Sequence, residues 1–184
     1  MLRFTEDQFR LFSERKSRTK KAAAAIPSPS VISPHAQALA RLVKKPDLIK
    51  GNKEHYEQVY IFDYFERRAP EVYACLHATP NGGWRGETAG GKMKAEGQKK
   101  GYPDMSLDIP RGAYHGMRIE LKEPEGRGPT EEQITWLNRL AQQGYYCVLC
   151  YGADQAISAI NEYMSLQQNQ HIDQHLNDSR WKTL

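Results

Sequence analysis

No apolar run in this 184-residue chain approaches the ~20 residues that a bilayer span requires. Its first residues, MLRFTEDQFR, lack the apolar core of a secretory signal. Cysteine is scarce: Cys75, Cys147 and Cys150 make an odd number without a framework spacing, so a reducing cytosol fits best. Cys147 and Cys150 form a C-x-x-C, but no second Cys or His pair stands at a zinc-like spacing, and a structural zinc site needs four donors. Hydrophobic residues are also few, at 39%, enough for one domain of ordinary size with extensions but short of two complete ones. The expectation is a cytoplasmic protein without membrane contacts.

What the chain does have is unevenly placed charge. The net charge of +4 hides a basic run of Arg15, Lys16, Arg18, Lys20 and Lys21 and a second cluster of Lys92, Lys94, Lys99 and Lys100. Such blocks suit polyanion binding, although the first also reads as solvated, disordered charge. Residues 1–52 form an extension in which IPSPSVISP, with three prolines, excludes regular structure, and 35–45 predict a brief amphipathic helix before Pro46. From Lys53 the pattern becomes that of a compact domain, 53–165. KEHYEQVYIFDYFERRA predicts a helix that stops before Pro70, and VYACLHA, 72–78, a buried strand. The turn chemistry of TPNGGWRG then leads into a polar, lysine-rich loop over 87–100 with at most a short helix.

Next, PDMSLDI and MRIELK each alternate apolar with polar residues, and PRGAYHG between them closes an antiparallel hairpin. A helix over about 130–143 opens on a capping box of Thr130 and Gln133, presents Ile134, Leu137, Leu140 and Ala141 on one face, and stops at Gly144. YYCVLCYG predicts the next strand and ADQAISAINEYM the next helix. The tail 166–184 is polar and Gln/Asn-rich, with no readable function.

Strand periodicity places Glu120 and Lys122 on one face of MRIELK, and Met117, Ile119 and Leu121 on the other. With Asp104 opening the partner strand, two carboxylates converge, and they repel unless a cation stands between them. A hard divalent ion with oxygen ligands is the usual solution, and Mg²⁺ keeps coordination positions for water and phosphate. The Lys122 ammonium then reaches a metal-bound water or a phosphate oxygen, an arrangement suited to phosphodiester hydrolysis. Alone, E-x-K is most often an exposed ion pair worth at most ~1 kcal/mol, and an Asp after Pro a turn residue. The joint order, Pro-Asp on one strand, E-x-K on the next, then helix and strand, carries the reading.

Pro103-Asp104 with Glu120-Leu121-Lys122, in that order of elements, resembles the PD-(D/E)xK nuclease superfamily. Glu54-His55-x-x-Gln58, Pro80-Asn81-Gly82-Gly83, Gly101-x-Pro103-Asp104, Glu120-x-Lys122 and Gln133 resemble its VRR-NUC branch over about residues 53–160. That branch includes stand-alone phage and prophage nucleases and the nuclease domain of a Fanconi-anaemia-associated DNA repair enzyme. The resemblance implies a restriction-endonuclease-like α/β core (α-β-β-β-α-β) with a mixed central sheet flanked by helices. It implies that Asp104, Glu120 and the main-chain carbonyl of Leu121 ligate Mg²⁺, with Mn²⁺ able to substitute, that Glu54 is an additional acid near the metal, and that Lys122 is catalytic. Gln133 would support the lysine or the scissile phosphate, beside its plain capping role. Glu54 likewise has a plain reading, as an acid favoured at a helix N-terminus.

Further candidates are Lys92, Lys94, Lys99 and Lys100 for sequence-independent phosphate contacts, Asn81 for backbone approach to a phosphate, and Trp84 for stacking on an unpaired base. Asp108, on the face of Asp104, is a reserve acid, while His115 in the hairpin turn is expected in solvent. The function implied is a metal-dependent endonuclease acting on DNA, with branched, flapped or four-way-junction substrates and a homodimer as further expectations. The rivals are a non-catalytic nucleic-acid-binding protein of this fold, an RNA-directed nuclease, and a structural partner in a viral complex.

Overall fold

Ser33 and Pro34 start the first helix by two local effects. The Ser33 hydroxyl accepts the Ala36 amide at 3.1 Å, and Pro34 supplies a helical φ where no donor is needed, giving α1 (Pro34–Lys44). The computed structural model describes residues 32–80 and 87–172, the side chains of 87–90 excepted, so the basic run at 15–21 and the tail from 173 lie outside the described residues. Contacts divide the chain after Ile32, and everything below concerns the unit that begins at Ser33. A 3₁₀ turn (Pro46–Ile49) links α1 to α2 (Lys53–Arg68). The His35 ring of α1 stacks 5.4 Å from Phe62 of α2 and hydrogen-bonds the Tyr73 hydroxyl at 3.0 Å, so the packed unit reaches back beyond Lys53.

Helix α2 buries Ile61, Phe62 and Phe65 at spacings of three and four, and ends before Pro70 as its sequence predicts. The expected strand over 72–78 is corrected: Pro70–Tyr73 form a helical turn, α3, and only Leu76–Ala78 form β1. Pro70 at the first helical position favours that turn, and it puts Val72 and Leu76, four residues apart, into the core. Within the 87–100 segment lies one helix, α4 (Glu87–Ala95).

Strands β2 (Met105–Leu107) and β3 (Met117–Lys122) form the expected hairpin, and β4 (Tyr146–Tyr151) joins β3 in parallel after crossing through α5 (Glu131–Gln142). The sheet order is β1-β2-β3-β4, antiparallel except at its last pair. Helix α6 (Ala153–Met164) follows at once. This mixed sheet flanked by helices is the restriction-endonuclease-like architecture expected. Gly144 stops the approach from α5 to β4 with φ +81°, and its N–H donates to the Ala141 carbonyl at 3.0 Å.

The sheet is buried on both faces. Met117, Ile119 and Leu121 of β3 pack with Ile61, Phe65, Ile160 and Tyr163 of α2 and α6. On the opposite face, Cys147, Leu149 and Tyr151 of β4 meet Leu137 and Leu140 of α5. The C-x-x-C therefore spans the two faces, with both thiols free, buried and pushed up to about 12 by that burial. Beyond α6 the chain returns to the hairpin: Leu166 is buried, and the Tyr114 hydroxyl donates to the Ile172 carbonyl at 3.0 Å.

Candidate active site

The second face of β3 carries Arg118, Glu120 and Lys122, and α5 covers it. The surface ion pair that E-x-K usually makes is thereby excluded: Glu120 is 0% exposed, and the Lys122 side chain only 13%. Residue 105 faces residue 119 across the hairpin, which sets Asp104 opposite Glu120. The Asp104 carboxylate accepts the Leu121 N–H at 3.0 Å, so the neighbouring strand's backbone holds this side chain at the strand end. Gly101, with φ +78°, lies so near the first turn of α5 that a Cβ there would come within 2.8 Å of the Glu132 backbone. That close approach brings the Gly-x-Pro-Asp stretch and the start of α5 to one place.

Lys122 Nζ donates to Glu120 Oε1 at 2.6 Å and to the Leu121 carbonyl at 3.0 Å, and lies 3.9 Å from Glu54 Oε2. One ammonium thus touches or approaches three of the four donors expected to ligate a cation. Gln133 completes the cluster. Its Oε1 accepts the Thr130 N–H at 2.8 Å, its own N–H reaches Thr130 Oγ1 at 3.4 Å, and its Nε2 donates to Glu120 Oε1. The capping box and the contact with the E-x-K acid are therefore one arrangement rather than alternatives.

The electrostatics follow from the burial. Desolvation, reinforced by Asp104 and opposed by Lys122, pushes the Glu120 carboxyl up to about 8. Desolvation works to lower Lys122, but the carboxylates of Glu120, Glu54 and Asp104 outweigh it and the net shift is upward. Glu54 is raised by burial, with Asp104 and Glu123 adding and Lys122 opposing. Glu120 Oε2 is buried without a hydrogen-bond partner, an acceptor that normally demands one. As the side chains stand, no three His, Cys, Asp or Glu among the described residues gather into a ready ligand set. Asp104 faces the Leu121 amide, and Glu120 Oε1 faces Lys122 and Gln133.

A cleft of about 650 Å³ opens over this cluster, lined by Glu54, His55, Gln58, Asp104, Lys100 and Gln133 among others. Of the four expected phosphate-binding lysines, only Lys100 lines it, and its ammonium is 2.5 Å from Glu132 Oε1. Lys99 lines a neighbouring cavity, whereas Lys92, 3.9 Å from Glu96, and Lys94 are exposed on α4 and do not line the cleft. Asn81 and Trp84 lie outside the described residues. The reserve role of Asp108 is corrected: it stands beyond the far end of β2, held by Arg118 at 3.0 Å and His77 at 3.1 Å. His115 is exposed, as expected.

Two contributors carried no sequence signal. Glu57 Oε2 accepts the Ala153 N–H at 2.7 Å, capping α6 from α2, while the Gly152 N–H donates to the Lys122 carbonyl at 2.8 Å. Together they pin the Lys122 end of β3. Trp136 and Tyr102 form the second, in the wall of the cavity beside the cleft.

Strand order, crossover helix and a cleft lined by Glu54, Asp104 and Gln133 beside the E-x-K strand define a restriction-endonuclease-like α/β domain. A solved structure described as a VRR_NUC domain protein matches with a TM-score of 0.57 and 32% identity, over 66% of this chain and 96% of that one. The chain belongs to the VRR_NUC domain family. No family model matches the sequence, and no curated protein does. No helix among the described residues is long and apolar enough to cross a membrane.

Proposed function

We propose that this protein is a metal-dependent endonuclease that hydrolyses DNA phosphodiester bonds at the cleft over β3, as the PD-(D/E)xK resemblance implies. The observation that carries this reading is Glu120: a wholly buried carboxyl with one oxygen lacking a partner, beside a buried lysine and bonded by Gln133, which lines an open cleft. Structural ion pairs are seldom retained in that state, since burying charge costs several kcal/mol per ion. The donor set fits a hard cation. Asp104, Glu120 and the Leu121 carbonyl would hold Mg²⁺ or Mn²⁺, with Glu54 on the cleft side. When bound, such an ion lowers the pKa of its water and offsets charge on the phosphate.

The chain's own residues supply the rest. Gln133 donates to Glu120 and fixes its rotamer, and Asp104 is held in register by the Leu121 amide. Lys122, once released from Glu120 Oε1, presents its ammonium to the attacking water or to the developing negative charge on the phosphate oxygen. Lys100 at the rim contributes a sequence-independent phosphate contact. Branched, flapped or four-way-junction DNA as substrate, and a homodimer presenting two clefts to two strands, belong to the same reading.

The test is incubation of the purified protein with supercoiled, linear, flapped and four-way-junction DNA in Mg²⁺ or Mn²⁺, beside Lys122→Ala. Cutting by the native protein alone supports the mechanism, while cutting by both or by neither defeats it. One observation favours a non-catalytic DNA-binding reading: Lys122 already bonds Glu120 and the Leu121 carbonyl, two of the expected ion donors. That reading predicts no cutting and equal DNA affinity for the native and Asp104→Ala proteins.

A further inference from the structure

Beside the cleft lies a second cavity of about 460 Å³ that the catalytic reading does not use. The two share Thr79, Pro80 and Tyr102 in their walls, so they adjoin. The walls of the second are mostly apolar: Trp136 and Tyr102 meet edge to face, ring centres 5.2 Å apart at 64°, with Met93 and Pro80 beside them. The Trp136 ring is fixed rather than loose, because its indole N–H donates to the Lys100 carbonyl at 3.1 Å. The Arg139 guanidinium lies 4.8 Å from the centre of the same ring. Segment 92–100, which supplies part of the wall, carries four lysines against one glutamate.

Charge and shape together select an occupant. A phosphate alone would need several converging donors, whereas Lys99 is the one cation among the described residues of this wall and the Glu96 carboxylate lines it too. A base paired in a duplex has its faces covered by its neighbours and its edge by its partner. An unpaired base has a free π-face for an aromatic wall, and its backbone keeps the charge that the flanking lysines attract. We propose that this cavity takes one unpaired nucleobase of the DNA strand whose phosphate lies in the adjoining cleft, an inference that rests on the nuclease reading. It gives that reading a substrate class, DNA with at least one unpaired nucleotide next to the cut.

The test uses the full chain and a short single-stranded DNA, with binding followed by fluorescence anisotropy in Ca²⁺. A single abasic site is moved along the strand, which removes one base and leaves every phosphate. The native protein is expected to lose about 5- to 150-fold in affinity at one position, the range that base stacking on an aromatic ring covers, and little at the others. Trp136→Ala should start weaker by a similar factor and show no sensitive position, while Trp136→Phe, which keeps a ring and guards against a folding defect, should keep it. Equal loss at every position, or a sensitive position that survives in Trp136→Ala, overturns the base subsite while leaving nuclease function standing. Failure of the native protein to bind any strand also overturns the base subsite, while the nuclease reading stands or falls on the cleavage of duplex and junction DNA.

Discussion

Met117, Ile119 and Leu121 on one face of β3, and Arg118 and Glu120 on the other, are all buried, yet the two faces are buried for different reasons. The first meets α2 and α6 with nothing polar to satisfy, and each side chain stabilises the fold by roughly 1.5–3 kcal/mol through burial. The second holds charge under α5, where desolvation works against the fold and only specific partners offset it. Arg118 pairs with Asp108 and stacks 4.1 Å over Tyr145, yet its Nε lacks a partner, as Glu120 Oε2 does. Neither burial nor incomplete satisfaction by itself separates a structural residue from a chemical one; Glu120 is set apart by the Lys122, Gln133 and Asp104 groups gathered around it.

The sharpest break of this comparison is Lys122→Ala. Cleavage in Mg²⁺ should fall by about 10²–10⁴-fold, the range for a group acting on a transferred proton or developing charge, while the protein, though less stable, stays folded at 25 °C. Ile119→Ala one residue from the acid should do the reverse. It should cost about 2–5 kcal/mol in urea denaturation, with the specific activity of the remaining folded fraction near that of the native protein. If Ile119→Ala silences the folded enzyme, or Lys122→Ala unfolds it, the two faces are not divided as described.

A pH series sharpens the same contrast. The folded pKa of Glu120 is raised from 4.5 to about 8, so the folded state holds this proton more tightly than the unfolded one. Its contribution to stability is complete below about pH 4.5 and is lost as pH rises through about 8. In EDTA, the stability of the native protein should therefore fall relative to Glu120→Gln between pH 6 and pH 9. A constant difference across that range would show that Glu120 titrates normally. The smallest effect is at Thr130→Ala, which removes one half of the capping box. It should cost about 1 kcal/mol and leave cleavage within a few-fold, because the Gln133 amide that touches Glu120 is untouched.

Much of this is legible in the amino-acid sequence. The α2, α5 and α6 helices announce themselves by stripes at three- and four-residue spacing, and β3 and β4 by parity and apolar runs. The family resemblance was legible for a different reason: short motifs recur in one order. The α3 turn was not, because VYACLHA, 72–78, suits a strand and a helical turn equally. The burial of Glu120 was hidden because parity assigns a residue to a face but does not say what covers that face. Asp108 failed for a related reason: four strand residues span about 13 Å, so sharing a face with Asp104 does not bring it to the same site. The link from Gln133 to Glu120 crosses thirteen residues, and no local pattern reports it.

The Gln133 amide has one further consequence, for the order in which the molecule becomes competent. The same side chain closes the first turn of α5 and grips the buried acid, so the acid has no fixed rotamer until that turn is wound. A chain caught part-way through folding, or one whose helix end has frayed, holds Glu120 out of line. Under the proposed chemistry that acts as a safety catch: the site cuts only while the first turn of α5 is wound.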